Sequence, residues 1–562
     1  MIARTPAHRR HLGRHCWLLV AALVVGAPLQ AQGVLGAGPD AVTIPRGMLR
    51  IGLSGEHTLQ RDRWNDGRLE ALGAGFSGDS LGPSALSVIG PLRQLMRDVG
   101  VPDLSASLGT SRLDLRQRIF VTPLSIEYGV TDWLTLGVRA PLVRSKAEAS
   151  VRIRGDSGRA TIGLNPYFLG SAVPAANRST IDRYAAAAAG LSARRAACQS
   201  NAGAAPECPT ILAELTSVNA LIARGTQFAN GLAGIYGAPG LAAGQPFVPM
   251  AGSAIELALR ARVDSLRTAF TRYGITEIAP TTGLPLGAQA PLGAADLAAL
   301  VADSLNGFGA RPMTGTAITG FGDLEFGATL KLFDSFGRAS DSRFAASRFG
   351  IRQAIGIDMR LGTGTRETPD DFIDHGTGTG RNAITVRSMT DIVWSSRFWT
   401  TVSVAMTQAA GSTERLRVPD PGGTEYQESW READVPVHPG RALDLSLTPR
   451  WQLNEYLALG ASWRRRSQSA GRHDIDSIVV APAGFNVALL GTALDARTAS
   501  DVQQLGWHVS YSTIAARAAG TDGLAFEISF SHEQAISSST GIVPKTWLDR
   551  VQIRYYTRLF GR

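Results

Sequence analysis

An all-β fold, a transmembrane antiparallel β-barrel of about 12 strands (12 to 14) with a large, mainly helical loop insertion, is predicted by three observations. The clearest is the stretch LDLRQRIFVTPLSIEYGVTDWLTLGVRAPL, residues 113–142. Leu124, Ile126 and Tyr128 alternate with Ser125, Glu127 and Gly129 before a turn at Thr131 and Asp132. Leu134, Leu136, Val138, Ala140 and Leu142 alternate with Thr135, Gly137 and Arg139 after it. Period two sends each set to its own face, so this is a hairpin with an apolar stripe on one side and an ionic one on the other. Similar runs recur to the C-terminus, joined alternately by short turns and long Gly/Pro/Asp-rich loops. Finally, no stretch after the N-terminal leader approaches about 18 consecutive apolar residues, so a membrane would be crossed by strands closed into a barrel.

The leader carries Arg4, Arg9, Arg10 and Arg14, an apolar run at 17–25 and small residues up to Ala31, the build of a secretory signal over 1–31. Residues 32–46 follow as an N-terminal periplasmic segment and 47–562 as the barrel, interrupted by an insertion at 146–317. Cys16 falls in the signal; Cys198 and Cys208 remain as an even pair in an exported chain, for which a disulfide is expected. No His lies near either, which disfavours a metal site. The net charge of +9 is scattered through the strands rather than gathered in runs, so nucleic acid is not an expected partner.

The first strand is expected at 48–60, with Leu49, Ile51 and Leu53 opposite Arg50, Ser54 and Glu56. The second opens with Leu113, Leu115, Ile119 and Val121 outward and Arg112, Asp114, Arg116 and Arg118 inward; its parity reverses at Pro123, which reads as a bulge because proline cannot donate to a ladder. Within the insertion, 182–197 is alanine-rich, 209–224 carries Ile211, Leu212, Leu215, Val218 and Leu221 at helical spacing, and 254–273 and 294–305 follow. A Cys198–Cys208 bond would staple the first two helices into an extracellular cap or plug. Strands resume at 323–332, 351–361, 383–394, 397–407, 442–448, 456–466, 507–514, 524–531 and 548–560. Trp133, Trp394, Phe398, Trp451, Tyr456, Trp507 and Trp547 near their ends suit the aromatic girdles of a membrane barrel. A secreted sandwich or propeller explains the alternation but not the short/long asymmetry of the connections.

The hairpin EYGVTDWLTLGVRAPLV, and Leu361-Gly362-Thr363-Gly364 followed by Gly376-Thr377-Gly378-Thr379-Gly380-Arg381-Asn382, resemble the outer-membrane meta-pathway phenol-degradation proteins, relatives of the FadL-type transporters of hydrophobic substrates. The resemblance covers the barrel but not the helical insertion. It implies passage of small, often hydrophobic or aromatic molecules across the bacterial outer membrane. The Asn-Pro-Ala plug signature of FadL proteins is missing, Asn165-Pro166-Tyr167 being the nearest approach, and FadL-type barrels usually have fourteen strands, so no gating mechanism carries over.

The charged residues assigned to the lumen are Arg112, Arg116, Arg118, Arg139, Glu127, Asp323, Glu325, Arg352, Asp358, Arg360, Arg387, Asp391, Arg464, Glu527 and Arg554, with Arg50, Glu56, Asp114, Asp444, Arg466 and Arg550 on the same face. Excess arginine would attract anions; a lattice of ion pairs filling and stiffening the lumen is the favoured reading, because a low-dielectric interior tolerates neutralised charge. His508-Val509-Ser510 resembles the His-x-Ser core of the twelve-stranded outer-membrane phospholipase, but parity turns both polar residues inward, away from lipid. The acidic loop 367–375 is read as solvated rather than calcium-binding. The Gly-Thr-Gly-Thr-Gly run has no strand before it, no helix after it and no Lys, so phosphate binding is not expected.

The function expected is passive transport of small solutes, with outer-membrane lipid and the solutes as partners, no cofactor, no metal and no enzymatic activity. The alternative is a non-transporting structural or adhesion barrel whose insertion binds a partner. A surplus apolar face at Leu212, Leu215, Val218 and Leu221 would favour it.

Overall fold

The computed structural model describes residues 40–559 apart from 102–104, 155–158, 171, 201–204, 306, 337–348, 421–425, 482–485, 497, 515 and 517–522. The expected signal, 1–31, lies outside the described residues. Twelve antiparallel strands form one closed sheet: β1 Met48–Asn65, β2 Thr110–Thr131, β3 Leu134–Arg154, β4 Leu324–Asp334, β5 Gly350–Leu361, β6 Ala383–Val393, β7 Phe398–Ala409, β8 Ala442–Gln452, β9 Leu457–Gln468, β10 Ser500–Ser512, β11 Ala525–Thr540 and β12 Ile542–Arg558. Each pairs with its neighbours in sequence, and β1 pairs with both β12 and β2. Closure satisfies the backbone donors and acceptors that an open edge would expose.

The outward residues form an apolar belt. Leu53, Leu124, Ile126, Leu136, Ile357, Met406, Leu447, Leu505 and Val551 are all between 41% and 52% exposed, which a soluble sandwich would not leave uncovered. At the near end, which carries Met48 and Arg558, Trp133, Trp394 and Trp451 stand exposed, and Tyr456 stacks on Tyr511 at 5.8 Å. Trp507 instead sits inside β10, against Phe530.

Three differences from the sequence reading matter. The register of β2 with β3 runs unbroken through Pro123 and Pro141, which face each other, and shifts only between Gly129 and Thr131. No parity reversal occurs at Pro123. Each proline's missing donor instead coincides with a lapse in pairing to the outer neighbour, at Ser54 and Gly55 of β1 and at Gly322 before β4. Second, β3 continues to Arg154, and a short strand, Thr316–Phe321, pairs with it before β4 begins. Third, β11 and β12 meet at the single residue Gly541, φ +75°, where a long loop was expected. The polar run Ser537–Ser538–Ser539–Thr540 lacks the alternation that marks a strand.

β1, β2 and β3 have 18, 22 and 21 residues, about twice the span of a bilayer, so they rise past the belt at the far end. There their inner faces join the helical insertion: α2 Ala172–Gln199, α3 Cys208–Ala213, α4 Leu215–Tyr236, α5 Ala254–Thr271 and α6 Ala294–Ala302, with α1 Gly90–Asp98 from the first long loop. Leu113 and Ala147 of the wall are buried in one core with Leu191, Val218, Leu221, Phe228, Leu259 and Leu300. The apolar face of α4 is thus largely used within the cap, whereas Leu212, on α3, is exposed. Rings chain the far-end loops together, Phe76 to Tyr426 at 5.7 Å, Tyr426 to Phe372 at 5.2 Å and Phe372 to Phe308 at 6.0 Å. The expected Cys198–Cys208 disulfide joins α2 to α3.

A bridge closing a loop of sequence separation 10 restricts the unfolded cap by roughly 2–3 kcal/mol. Replacing both cysteines by alanine should make proteolysis within 172–236 faster by ten-fold or more. The heat-modifiable gel mobility of the barrel should not change.

Candidate functional site: the barrel lumen

The lumen holds a cavity of about 390 Å³ against β1–β6 and β12, lined by polar and charged side chains. Alternation supplies them: on each strand the residues between the belt positions point inward. Arg50 is hydrogen-bonded to Glu127. Arg139 reaches both Glu56 at 3.2 Å and Glu325 at 3.4 Å, and Arg550 also donates to Glu56 at 3.1 Å. Arg387 meets Asp358 at 2.5 Å, Arg464 meets Asp444 at 2.7 Å, and Arg554 lies 3.6 Å from Glu527. This is a lattice of neutralised charge of the expected kind. Arginines facing the cavity are held by carboxylates on neighbouring strands, so their charge is largely neutralised.

Toward the near end the lumen is packed with buried polar side chains. Arg352, Asp391 and Glu527 of the expected set are buried there with Thr401, Arg450, His508, Ser510 and Trp399. Thr401 donates to Asp391 at 2.6 Å and accepts from Arg450 at 2.7 Å. Arg450 lies beyond the strand expected at 442–448, which in the structure runs on to Gln452. His508 and Ser510 face this packed interior, 3% and 1% exposed, so neither meets the lipid that a surface Ser-His site would cleave.

Four residues assigned to the lumen face lie elsewhere. Arg112, Asp114, Arg116 and Arg118 share the face of Phe120, Leu124 and Ile126 and point out of the barrel above the belt. Arg112 is paired on that outer surface with Asp114 at 3.5 Å, and Arg118 with Glu148 at 3.6 Å.

Two elements lie at the ends of the lumen. At the near end, residues 40–47, most of them in the expected N-terminal periplasmic segment, enter the lumen. Thr43 donates to the carbonyl of Asp132, the Ile44 amide to Thr135 Oγ1 at 2.8 Å and the Arg46 amide to Asp132 Oδ1 at 3.1 Å. Ala41 is buried against Ala354 of β5 and Met389 of β6, and Asp40 and Val42 line the cavity. The segment therefore reaches from the β2–β3 turn toward the facing wall.

At the far end, the loop 362–382 folds over Asp323. The carboxylate accepts from the amides of Gly364 at 2.9 Å, Thr379 at 2.8 Å and Gly380 at 3.2 Å, and from the Thr379 hydroxyl at 2.8 Å. Successive amides of a glycine-rich turn form a nest for an anion, and here the anion is the chain's own. A Cβ on Gly378 would stand 2.7 Å from Asp323 Oδ1, which explains glycine there. The acidic stretch 367–375 is not a solvated loop: Phe372 and Ile373 pack into the cap core, Asp370 meets Arg417 at 2.7 Å, and His375 bridges Glu367 and Gln117.

Arg381 grips Glu414 of the outer strand Ser412–Arg417 through two hydrogen bonds, 2.5 and 2.6 Å, and Arg366 adds a contact at 3.0 Å. Burial pushes the Glu414 carboxyl up, but Arg381, the Ser412 hydroxyl and Arg366 together hold it below the usual range.

No protein-family model and no curated protein matches this sequence. Among solved structures, the chain is similar to an outer-membrane channel from Pseudomonas putida F1, at 8% identity over 93% of this chain and 99% of that one, TM-score 0.40. A Pseudomonas aeruginosa FadL homologue gives 8% identity over 91% and 90%, TM-score 0.26. The transport unit of the autotransporter AIDA-I from Escherichia coli gives 4% over 91% and 90%, TM-score 0.26. Similarity at this level reaches channels and an autotransporter alike and says nothing of what crosses the lumen.

Two outcomes follow for the far-end closure. Asp323→Ala removes the acceptor of three amides, so hydrogen exchange at Gly364, Thr379 and Gly380 should accelerate at least ten-fold, about 1.4 kcal/mol or more. The depressed Glu414 carboxyl contributes stability that is complete above the unfolded glutamate value of about 4.3. It is lost as pH falls through the lower folded value. Cleavage of 362–382 by an acid-active protease should therefore stay slow from neutrality to that range and rise below it, and Glu414→Gln should abolish this part of the pH dependence.

Proposed function

We propose that this chain is an outer-membrane barrel for passive passage of small solutes, shut at the near, periplasmic end by residues 40–47. The observation that carries the reading is the cavity of about 390 Å³ between that segment and the far-end closure. Its size falls in the range of small-molecule sites, and its lining is polar where the near end of the lumen is packed. The lining favours polar solutes, carboxylates above all, since arginine forks already positioned by one carboxylate can exchange hydrogen bonds with another.

The closing segment differs from the wall in how it is held. Its four hydrogen bonds to the end of β2, the β2–β3 turn and the start of β3, from Thr43 and from the amides of Ile44, Arg46 and Gly47, are worth about 1 kcal/mol each, and Ala41 and Ile44 add two small apolar contacts. Release is therefore far cheaper than any rearrangement of the barrel. Rare opening, rather than a standing pore, is the behaviour this supports.

A second reading applies to hydrophobic solutes, which the charged lining does not suit. Pro123 and Pro141 face each other across β2–β3, and pairing to β1 and β4 lapses beside them. Pro123 and Val138 also line the cavity. A lateral exit into lipid at this place would reconcile a polar lumen with the hydrophobic substrates implied by the sequence resemblance.

Thr135→Val removes the acceptor for the Ile44 amide and should raise the open population about five- to thirty-fold for a loss of one to two kcal/mol. In liposome-swelling assays, uptake of small carboxylates should rise accordingly, with neutral sugars of the same size rising less. Unchanged swelling in a correctly folded variant would remove residues 40–47 as the gate.

A further inference from the structure

The outer face of the wall changes character once β2 and β3 leave the apolar belt. Below, it presents Leu124, Ile126, Leu136 and Leu142; above Phe120 it presents Arg112, Arg116 and Arg118 on β2 and Arg144, Lys146 and Arg152 on β3. Two acids, Asp114 and Glu148, share this surface. Asp114 is met by Arg112 at 3.5 Å and Arg152 at 2.9 Å, and Glu148 by Arg118 at 3.6 Å and Lys146 at 2.7 Å.

The register adds a second observation. Arg112 stands directly opposite Arg152, and Arg118 directly opposite Lys146. Like charges in such cross-strand positions repel, so the sheet holds two unfavourable pairs that its two carboxylates do not fully offset. The guanidinium groups are open to the surroundings, Arg112 at 73% and Arg152 at 63% exposure. An external anion spanning the two strands would relieve the repulsion.

On the reading of the chain as an outer-membrane barrel, this surface sits at the headgroup level of the outer leaflet, which is built of phosphate-bearing glycolipid. We infer that the outer face of β2–β3 is a binding site for the phosphate groups of that glycolipid, with its acyl chains lying on Leu124, Leu142 and Phe120. Arginine forks match phosphate oxygens in pairs, and basic side chains beside a bilayer concentrate anionic headgroups. The site is on the wall that carries the facing prolines, so a bound glycolipid would also brace the place where the ladder lapses.

The test uses the full-length protein refolded in detergent and titrated with diphosphoryl lipid A, monophosphoryl lipid A, or inorganic phosphate, with bound lipid read by native mass spectrometry. The inference predicts at least ten-fold preference for the diphosphoryl form. It also predicts a loss of about ten-fold in Arg112→Gln/Arg116→Gln/Arg152→Gln and a decline as salt is raised. Should that variant fail to fold, Arg144→Gln/Lys146→Gln serves in its place. Equal binding of the two lipids, unchanged binding in the variants, or equal competition by inorganic phosphate would overturn it, the last leaving a general anion surface only. Insertion into vesicles, read by heat-modifiable mobility and protease protection, is checked beside it. An inserted barrel with no lipid preference ends this inference alone, whereas a chain that does not insert ends the membrane reading as well.

Discussion

A barrel wall is one residue thick, so each side chain along a strand must face either the inside or the outside. Everything else in the molecule follows from that constraint. Inward charge meets only a confined volume of solvent and finds its partner on an adjacent strand. Arg139 with Glu56 and Glu325, and Arg387 with Asp358, are that solution. Outward apolar side chains are stable only where lipid replaces water, and this fixes the height of the belt. Where β2 and β3 outgrow the belt, the constraint inverts, because the outside is now polar and the inside is the packed core of the cap.

That inversion explains the main error in reading the sequence. Leu113 and Leu115 are apolar and Arg112 and Arg116 are not, just as Leu124 and Ile126 are apolar and Glu127 is not. Assigning the apolar set to the outside throughout demands a reversal of parity, and Pro123 offered itself as the bulge. The backbone makes no such reversal: the same face simply passes from lipid to polar surroundings, and the apolar side chains change sides with it. The strand count and closure, the disulfide, and the inward placement of His508 and Ser510 were legible from alternation and spacing alone.

Other features were not legible for a different reason. Residues 40–47 have no periodicity to announce a role; their meaning lies in contacts with Asp132, Thr135, Ala354 and Met389, which only closure brings near. The Gly-Thr-Gly-Thr-Gly run showed the composition of an anion nest but gave no hint that its anion is Asp323, some fifty residues earlier. In both cases a segment with little secondary structure lies at one end of the lumen, held by hydrogen bonds from and to the wall. The strong element is the barrel and the weak elements are these segments.

The central claim is that the lumen conducts only when residues 40–47 leave it. Its most direct test is planar-bilayer conductance of the refolded full-length protein beside a chain beginning at Gly47, with the barrel of each verified by heat-modifiable mobility. The account predicts silence or brief openings in the first and sustained conductance in the second. Equal sustained conductance in both, or silence in both, would contradict it.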